Sequence, residues 1–236
     1  MKIDILNSYE SVSENASGIV INEIAARKDL LICAATGNTP VGTYASLAKA
    51  YQRRPQLFTA INIIKLDEWG GLEMNDPATC EFFLQTHLIK PLQIGESRYI
   101  SFASDPADPN MECERIRDEL DNRGPIDICI LGLGLNGHIA LNEPGDVIEP
   151  AIHIAKLSAK SIQHSMLSGL SKKPDFGLTL GMKDIFQSKM ILMLITGEGK
   201  KEICHSFLSG KVSTRLPASF LWLHSNVICL ISRDAM

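Results

Sequence analysis

The sequence predicts an α/β fold: a single-domain three-layer sandwich over residues 1–236, with a mainly parallel, Rossmann-like sheet. Two observations lead there. Short aliphatic and β-branched runs recur along the chain, and several lack the polar alternation of a strand with one wet face, so they are expected to be covered on both sides. Amphipathic stretches of helical period lie between them, and such alternation builds parallel sheets through crossover connections.

Lys2–Leu6 is the first strand run and Ser11–Arg27 the first amphipathic helix. Leu30–Ala34, reading LLICA, has no polar position and is expected to be a buried strand, followed by a helix over Val41–Arg53. Ile61–Leu66 and Ala78–Leu88 form the next pair, then Arg98–Phe102 and Pro109–Arg123. Ile126–Leu131 is a strand that ends in a glycine-rich loop. Ile152–Leu157 and Met190–Thr196 are two further strands. Between them, residues 155–174 are polar and rich in Ser and Lys, which suits either a lid over a site or an ordinary surface helix. Lys200–Ser209 and Ala218–Leu223 complete the helices, and Val227–Ser232 the strands.

Hydrophobic residues make up 45% of the chain and charged residues 21%, which excludes a disordered, collagen-like or coiled-coil protein. The 23 basic residues face 27 acidic ones, and no Lys/Arg run exceeds two, so neither nucleic acid nor an anionic membrane surface is an expected partner. No apolar stretch approaches the roughly 18 to 20 residues of a membrane span. Met1–Tyr9 lacks the pattern of a targeting leader, and the six scattered cysteines, three of them inside apolar runs, predict a reducing, cytoplasmic setting without disulfides. The histidines show no ligand spacing, so no metal is expected.

In open α/β sheets ligands gather beyond the carboxyl ends of the strands, which directs attention to three loops. After LLICA, Ala35-Thr36-Gly37-Asn38-Thr39-Pro40 leads into a helix; its backbone N–H groups and hydroxyls suit a phosphate, although Gly, Thr and Pro also cap ordinary connections. After Ile61–Leu66 come Asp67, Glu68 and Trp69. Strand alternation lets one acid face the cleft as a general base while the other holds the loop. A solvated acidic turn is the plainer alternative. The third loop, LGLGLNGHIALNEPG, satisfies GxGxxG through Gly132, Gly134 and Gly137. A dinucleotide is nevertheless not expected, because Asn142, Pro144 and Gly145 break the helix that should follow and Lys156 stands where an acid should grip the ribose. The loop gathers Asn136, His138, Asn142 and Glu143 instead, the layout of an oriented acid/base histidine.

Taken together, ATGNTP, KLDEW, GLGLNGHIALNEPG and ITGEGKK resemble, over essentially the whole chain, the sugar-phosphate isomerase/deaminase family that contains glucosamine-6-phosphate deaminase. GHIALNEP separates its deaminases from the related 6-phosphogluconolactonases. KLDEW, TCEFFLQTHLIKPL, ITGEGK and KVSTRLPASFLWLHSNVICLI are closer still to the galactosamine-6-phosphate branch. The resemblance implies an amino-sugar phosphate as substrate and no cofactor. It makes His138 the acid/base for ring opening, oriented by Glu143 and its loop neighbours, and Asp67 the base that moves a proton from C2 to C1. The phosphate would lie on Gly37, Asn38 and Thr39, with charge from Lys200. Two departures stand out. Asn136 replaces an Asp of the glucosamine branch and can hold the histidine by a hydrogen bond without a negative charge. An arginine that helps bind phosphate there is absent near Leu167, where Lys160 is the candidate substitute. A lactonase and a sugar-phosphate sensor are the alternatives, and a homo-oligomer is compatible with the apolar carboxyl-terminal segment, read mainly as core.

Overall fold

The computed structural model describes residues 1–171 and 173–236. From the amino terminus, β1 (Lys2–Leu6), α1 (Tyr9–Ala26), β2 (Leu31–Ala34), α2 (Val41–Arg53) and β3 (Asn62–Lys65) lead into a short β4 (Asp67–Trp69). Next come α3 (Cys80–Leu84), β5 (Tyr99–Ile100), α4 (Pro109–Arg123), β6 (Ile128–Gly132) and β7 (His153–Lys156). The chain finishes with α5 (Ala159–Ile162), β8 (Phe176–Thr179), α6 (Met182–Phe186), β9 (Met190–Ile195), α7 (Lys201–Leu208) and β10 (Val227–Ser232).

Seven strands form a parallel central sheet in the order β1-β10-β9-β6-β2-β3-β5. Their side chains alternate between two cores. Leu31, Cys33, Cys129, Leu131, Ile191 and Met193 point to the face covered by α4 and α7. Ile32, Ala34, Ile128, Ile130, Leu192 and Leu194 point to the face covered by α1, α2 and α3. Burial on both faces is why these strands are apolar throughout, each large side chain contributing roughly 1.5–3 kcal/mol. Helix starts are set by local caps: Ser8 accepts the N–H of Ser11 at α1, and Asp108 accepts those of Asn110 and Met111 at α4, whose first residue is Pro109.

Several elements differ from the sequence expectation. Ile152–Leu157 does not join the central sheet; β7 pairs antiparallel with β8, and β8 with β4, in a separate three-stranded sheet. Strands of three or four residues such as β4 and β8 are too short to display a period. Ala218–Leu223 belongs to a 3-10 helix over Pro217–Leu223, and the expected helix over Ala78–Leu88 is α3 continued by a π turn over Gln85–Ile89. A third apolar cluster, with Trp69, Leu72, Cys80, Leu141, Leu157 and Leu167, ties the small sheet to the 155–174 segment. That segment holds α5 and a 3-10 turn over Ser165–Leu167; Lys172, within it, lies outside the described residues. Among the described residues no helix is long and apolar enough to cross a membrane.

β2 lies between β3 on one side and β6 on the other, so the order of succession reverses there and a crevice opens between the loops that follow β2 and β6.

Candidate active site

At that edge β3 runs through Leu66 into β4, and strand alternation turns Asp67 and Glu68 to opposite sides. Glu68 is fully buried. It accepts the Lys65 ammonium at 2.6 Å and the backbone N–H groups of Trp69, Cys80 and Glu81 at 2.8 Å each, so it anchors the start of α3 and holds the loop. Lys65 also reaches Glu81 at 2.9 Å, where the Tyr99 hydroxyl donates as well. Burial opposes charge on Lys65 and Glu81, yet the attraction of Glu68 and then of Glu81 raises the lysine pKa, and the lysine in turn lowers that of Glu81.

Asp67 is 8% exposed, and the Cys80 thiol donates to its Oδ1 at 3.7 Å. Burial first, then the negative Glu68, push the Asp67 carboxyl up to about 7 against the pull of the thiol and Lys65. Burial also raises the Cys80 thiol well above its usual range, so it stays a neutral donor. Its sulfur lies 3.4 Å from the Thr36 hydroxyl, which joins the loops after β2 and β3.

The loop after β6 curls back on itself, with Gly134 N–H donating to the carbonyl of His138 at 3.0 Å. The imidazole lies flat against Gly134, where a Cβ would stand 2.4 Å from the ring. Nδ1 of His138 is 3.6 Å from Glu143 Oε2 and 3.4 Å from the Ser161 hydroxyl. Glu143 further accepts Asn136 Nδ2 at 2.8 Å, the Ser158 N–H at 3.3 Å and the Ser161 hydroxyl in a short bond. Burial would raise its pKa, but the bonds from His138, Ser161 and Asn136 bring it down to about 2. With Nδ1 directed at this anion, Nε2 of His138 is the nitrogen left to exchange protons.

In the turn after β2, Gly37 has φ of 92°, a conformation that favours glycine. Tyr44 donates to the Ala35 carbonyl at 2.7 Å and Tyr9 to that of Asn38 at 3.1 Å, bracing the turn from two helices. Among the described residues the backbone N–H groups of Gly37, Asn38 and Thr39 find no protein acceptor. The Thr196 hydroxyl, from the end of β9, reaches Thr39 Oγ1 at 3.3 Å. Lys200, whose pKa burial lowers to about 8, is hydrogen-bonded to the Leu133 carbonyl where the His138 loop begins.

A family model described as glucosamine-6-phosphate isomerases/6-phosphogluconolactonase matches residues 7–229. The chain belongs to that family. It is 44% identical to AgaI of Escherichia coli (strain K12), whose name marks it as a candidate deaminase, over 96% of this chain and 90% of that protein. It is 35% identical to glucosamine-6-phosphate deaminase 1 of Bacillus subtilis (strain 168), over 100% of this chain and 98% of that one. A solved glucosamine-6-phosphate deaminase, described as monomeric, superposes with a TM-score of 0.93 at 34% identity over 100% of this chain and 98% of that one. A 6-phosphogluconolactonase from Leishmania guyanensis superposes with a TM-score of 0.80 at 20% identity, over 99% of this chain and 97% of that one, a likeness of fold alone.

Within this family member, Asn136, His138 and Glu143 form one hydrogen-bonded cluster. Asn136 holds the histidine by a hydrogen bond, and does so through the backbone: its oxygen accepts the His138 N–H at 3.2 Å, while its amide donates to the half-buried Glu143 at 2.8 Å. Asn142 is buried, donating to the carbonyls of Ile139 and Leu180, and so fixes the loop. The candidate substitute for the missing arginine, Lys160, is not the side chain against Gly37. Leu167 is buried in the third cluster, and Lys160 lines a groove with Leu135, Pro144 and Glu202. The side chain lying against Gly37 is His164. Sequence reasoning missed Ser158, Ser161 and Cys80. A Ser-x-x-Ser pattern after a strand is a capping signal, and Ser158 does cap α5, but nothing local announces that both serines reach Glu143.

Proposed function

We propose that this chain is an isomerising deaminase converting galactosamine 6-phosphate to tagatose 6-phosphate and ammonia. The observation that carries the reading is a pair of carboxyls driven apart at one sheet edge. Burial and the neighbouring Glu68 push the Asp67 carboxyl up to about 7, where a base can take up and release a proton, while Glu143, brought down to about 2, is ionised at neutral pH and orients His138.

His138 opens the pyranose by moving a proton between the ring oxygen and the C1 hydroxyl. Asp67 takes the proton from C2 of the open-chain aldose, leaving an enolamine across C1 and C2, and returns a proton to C1. The product is a ketose imine at C2; water adds there, the nitrogen leaves as ammonia, and the ketose phosphate remains. Proton transfer alone carries the sequence. The N–H groups of Gly37, Asn38 and Thr39 hold the phosphate, and Lys200 supplies charge nearby. Membership of the family, together with full-length similarity to a named glucosamine-6-phosphate deaminase, supports an enzyme of amino-sugar phosphates.

The galacto preference rests on the resemblance of the KLDEW, TCEFFLQTHLIKPL and KVSTRLPASF segments and is compatible with the 44% identity to AgaI. The similarity to glucosamine-6-phosphate deaminases supports a second reading, with glucosamine 6-phosphate giving fructose 6-phosphate. Ammonia release from both amino-sugar phosphates in parallel separates them: faster release from the galacto substrate is expected, faster release from the gluco substrate selects the second reading, and silence on both refutes the deaminase. Asp67→Asn should lower kcat by roughly 10²–10⁴-fold with KM changed little. Full activity in that variant removes Asp67 from the role of base.

A further inference from the structure

We infer that His164 is a phosphate ligand of this site, its Nε2–H donating to the anion seated on the Gly37–Thr39 turn. The inference rests on the proposed function and adds a residue to it. The imidazole stands directly over the turn, with Nε2 3.4 Å and Cε1 3.6 Å from where a Cβ on Gly37 would lie. Its orientation fixes its chemistry. Nδ1 accepts the backbone N–H of Met166 at 3.3 Å, so the proton of the neutral ring sits on Nε2, the nitrogen that faces Gly37. Among the described residues that N–H has no acceptor.

The ring is held from behind. Trp69 lies at 5.8 Å between ring centroids and 43° between planes, two residues along β4 from Asp67. Leu167, three residues further on, is buried in the same cluster as Trp69. The surroundings keep the imidazole neutral, since burial lowers its pKa and the positive charges of His138 and Lys200 lower it further. The neutral form is also the one compatible with the bond from Met166. An anion entering here meets the turn's backbone N–H groups and the imidazole N–H without a further buried positive charge having to be held beside Lys200 and His138. Because His164 belongs to the 155–174 segment, which also supplies Ser158 and Ser161 to Glu143, one segment touches both ends of the substrate site.

The test is calorimetric titration of the intact protein with inorganic phosphate, in wild type, His164→Ala and His164→Gln, alongside ammonia release from both amino-sugar phosphates. His164→Ala should weaken phosphate and raise KM by roughly 10-fold, the worth of one hydrogen bond to a charged group, with kcat nearly unchanged. His164→Gln, whose amide nitrogen can reach the Nε2 position, should recover most of the loss. Unchanged phosphate affinity in His164→Ala overturns the assignment and leaves the deaminase reading standing. Phosphate affinity that depends on His164 in a protein releasing no ammonia does the reverse. The imidazole 15N spectrum of wild type reads the same point without a substitution: an Nε2–H tautomer perturbed by phosphate is expected, and an Nδ1–H tautomer or an unmoved signal refutes the inference.

Discussion

At the scale of single residues, the site depends on contacts that tune groups already present. Cys80 is a neutral thiol donating to Asp67, and that bond is one of the two influences drawing the carboxyl down from an even higher pKa. Cys80→Ala should therefore move the acid limb of the kcat/KM profile to higher pH, since Asp67 must ionise to serve as the proposed base, whereas Cys80→Ser, which keeps a donor, should leave the limb close to wild type or below it. Superimposable profiles for all three proteins would reduce Cys80 to packing. Gly134 tunes by leaving room. A methyl there would stand 2.4 Å from the imidazole, so Gly134→Ala must push His138 off its line to Glu143 and should cost roughly 10²-fold in kcat, the price of a misplacement of about 1 Å, while circular dichroism shows the fold retained. Wild-type kcat in Gly134→Ala would show that ring placement is not limiting.

At the scale of elements, the most legible parts of the chain were those whose burial is symmetrical. β2, β6 and β9 are apolar on both faces, so their composition alone announces them. β4 and β8 escaped because three or four residues carry no period, and β7 was expected in the wrong sheet because strand propensity says nothing about the partner. Asp67, His138 and Glu143 were legible as candidates because chemistry-bearing residues follow directly on buried strands; Ser158, Ser161 and His164 were not, because they come to the candidate site through tertiary folding of a polar segment. The junction of β3, β4 and α3 makes a further prediction. Lys65 lies fully buried between Glu68 and Glu81. Lys65→Met would strand two buried carboxylates, and a loss of roughly 3–5 kcal/mol is expected in urea unfolding. Stability within about 0.5 kcal/mol of wild type would show that water or relaxation compensates the pair.

At the scale of the whole molecule, the two carboxyls that define the site pull stability in opposite directions along the pH axis. Glu143 has a folded pKa of about 2, below its ordinary 4.5, so its contribution is present above about 4.5 and is lost as pH falls toward 2. Asp67 is the reverse case. Its folded pKa of about 7 lies above the ordinary 3.8, so its contribution is complete below about 4 and disappears as pH rises through 7, because the native state must then bury a charge that the unfolded chain keeps in water. At roughly 1.4 kcal/mol per pH unit, an ionised Asp67 costs the fold on the order of 4 kcal/mol above pH 7. Asp67→Asn keeps the shape and removes the charge. The variant expected to lose most of its turnover should therefore be the more stable protein, with a melting temperature above wild type at pH 8 and a difference that shrinks toward zero near pH 4. Melting curves of the two proteins from pH 4 to 8 check this. Equal stability throughout would mean that Asp67 ionises in the fold without penalty, and the assignment of a base poised near neutrality would fall with it.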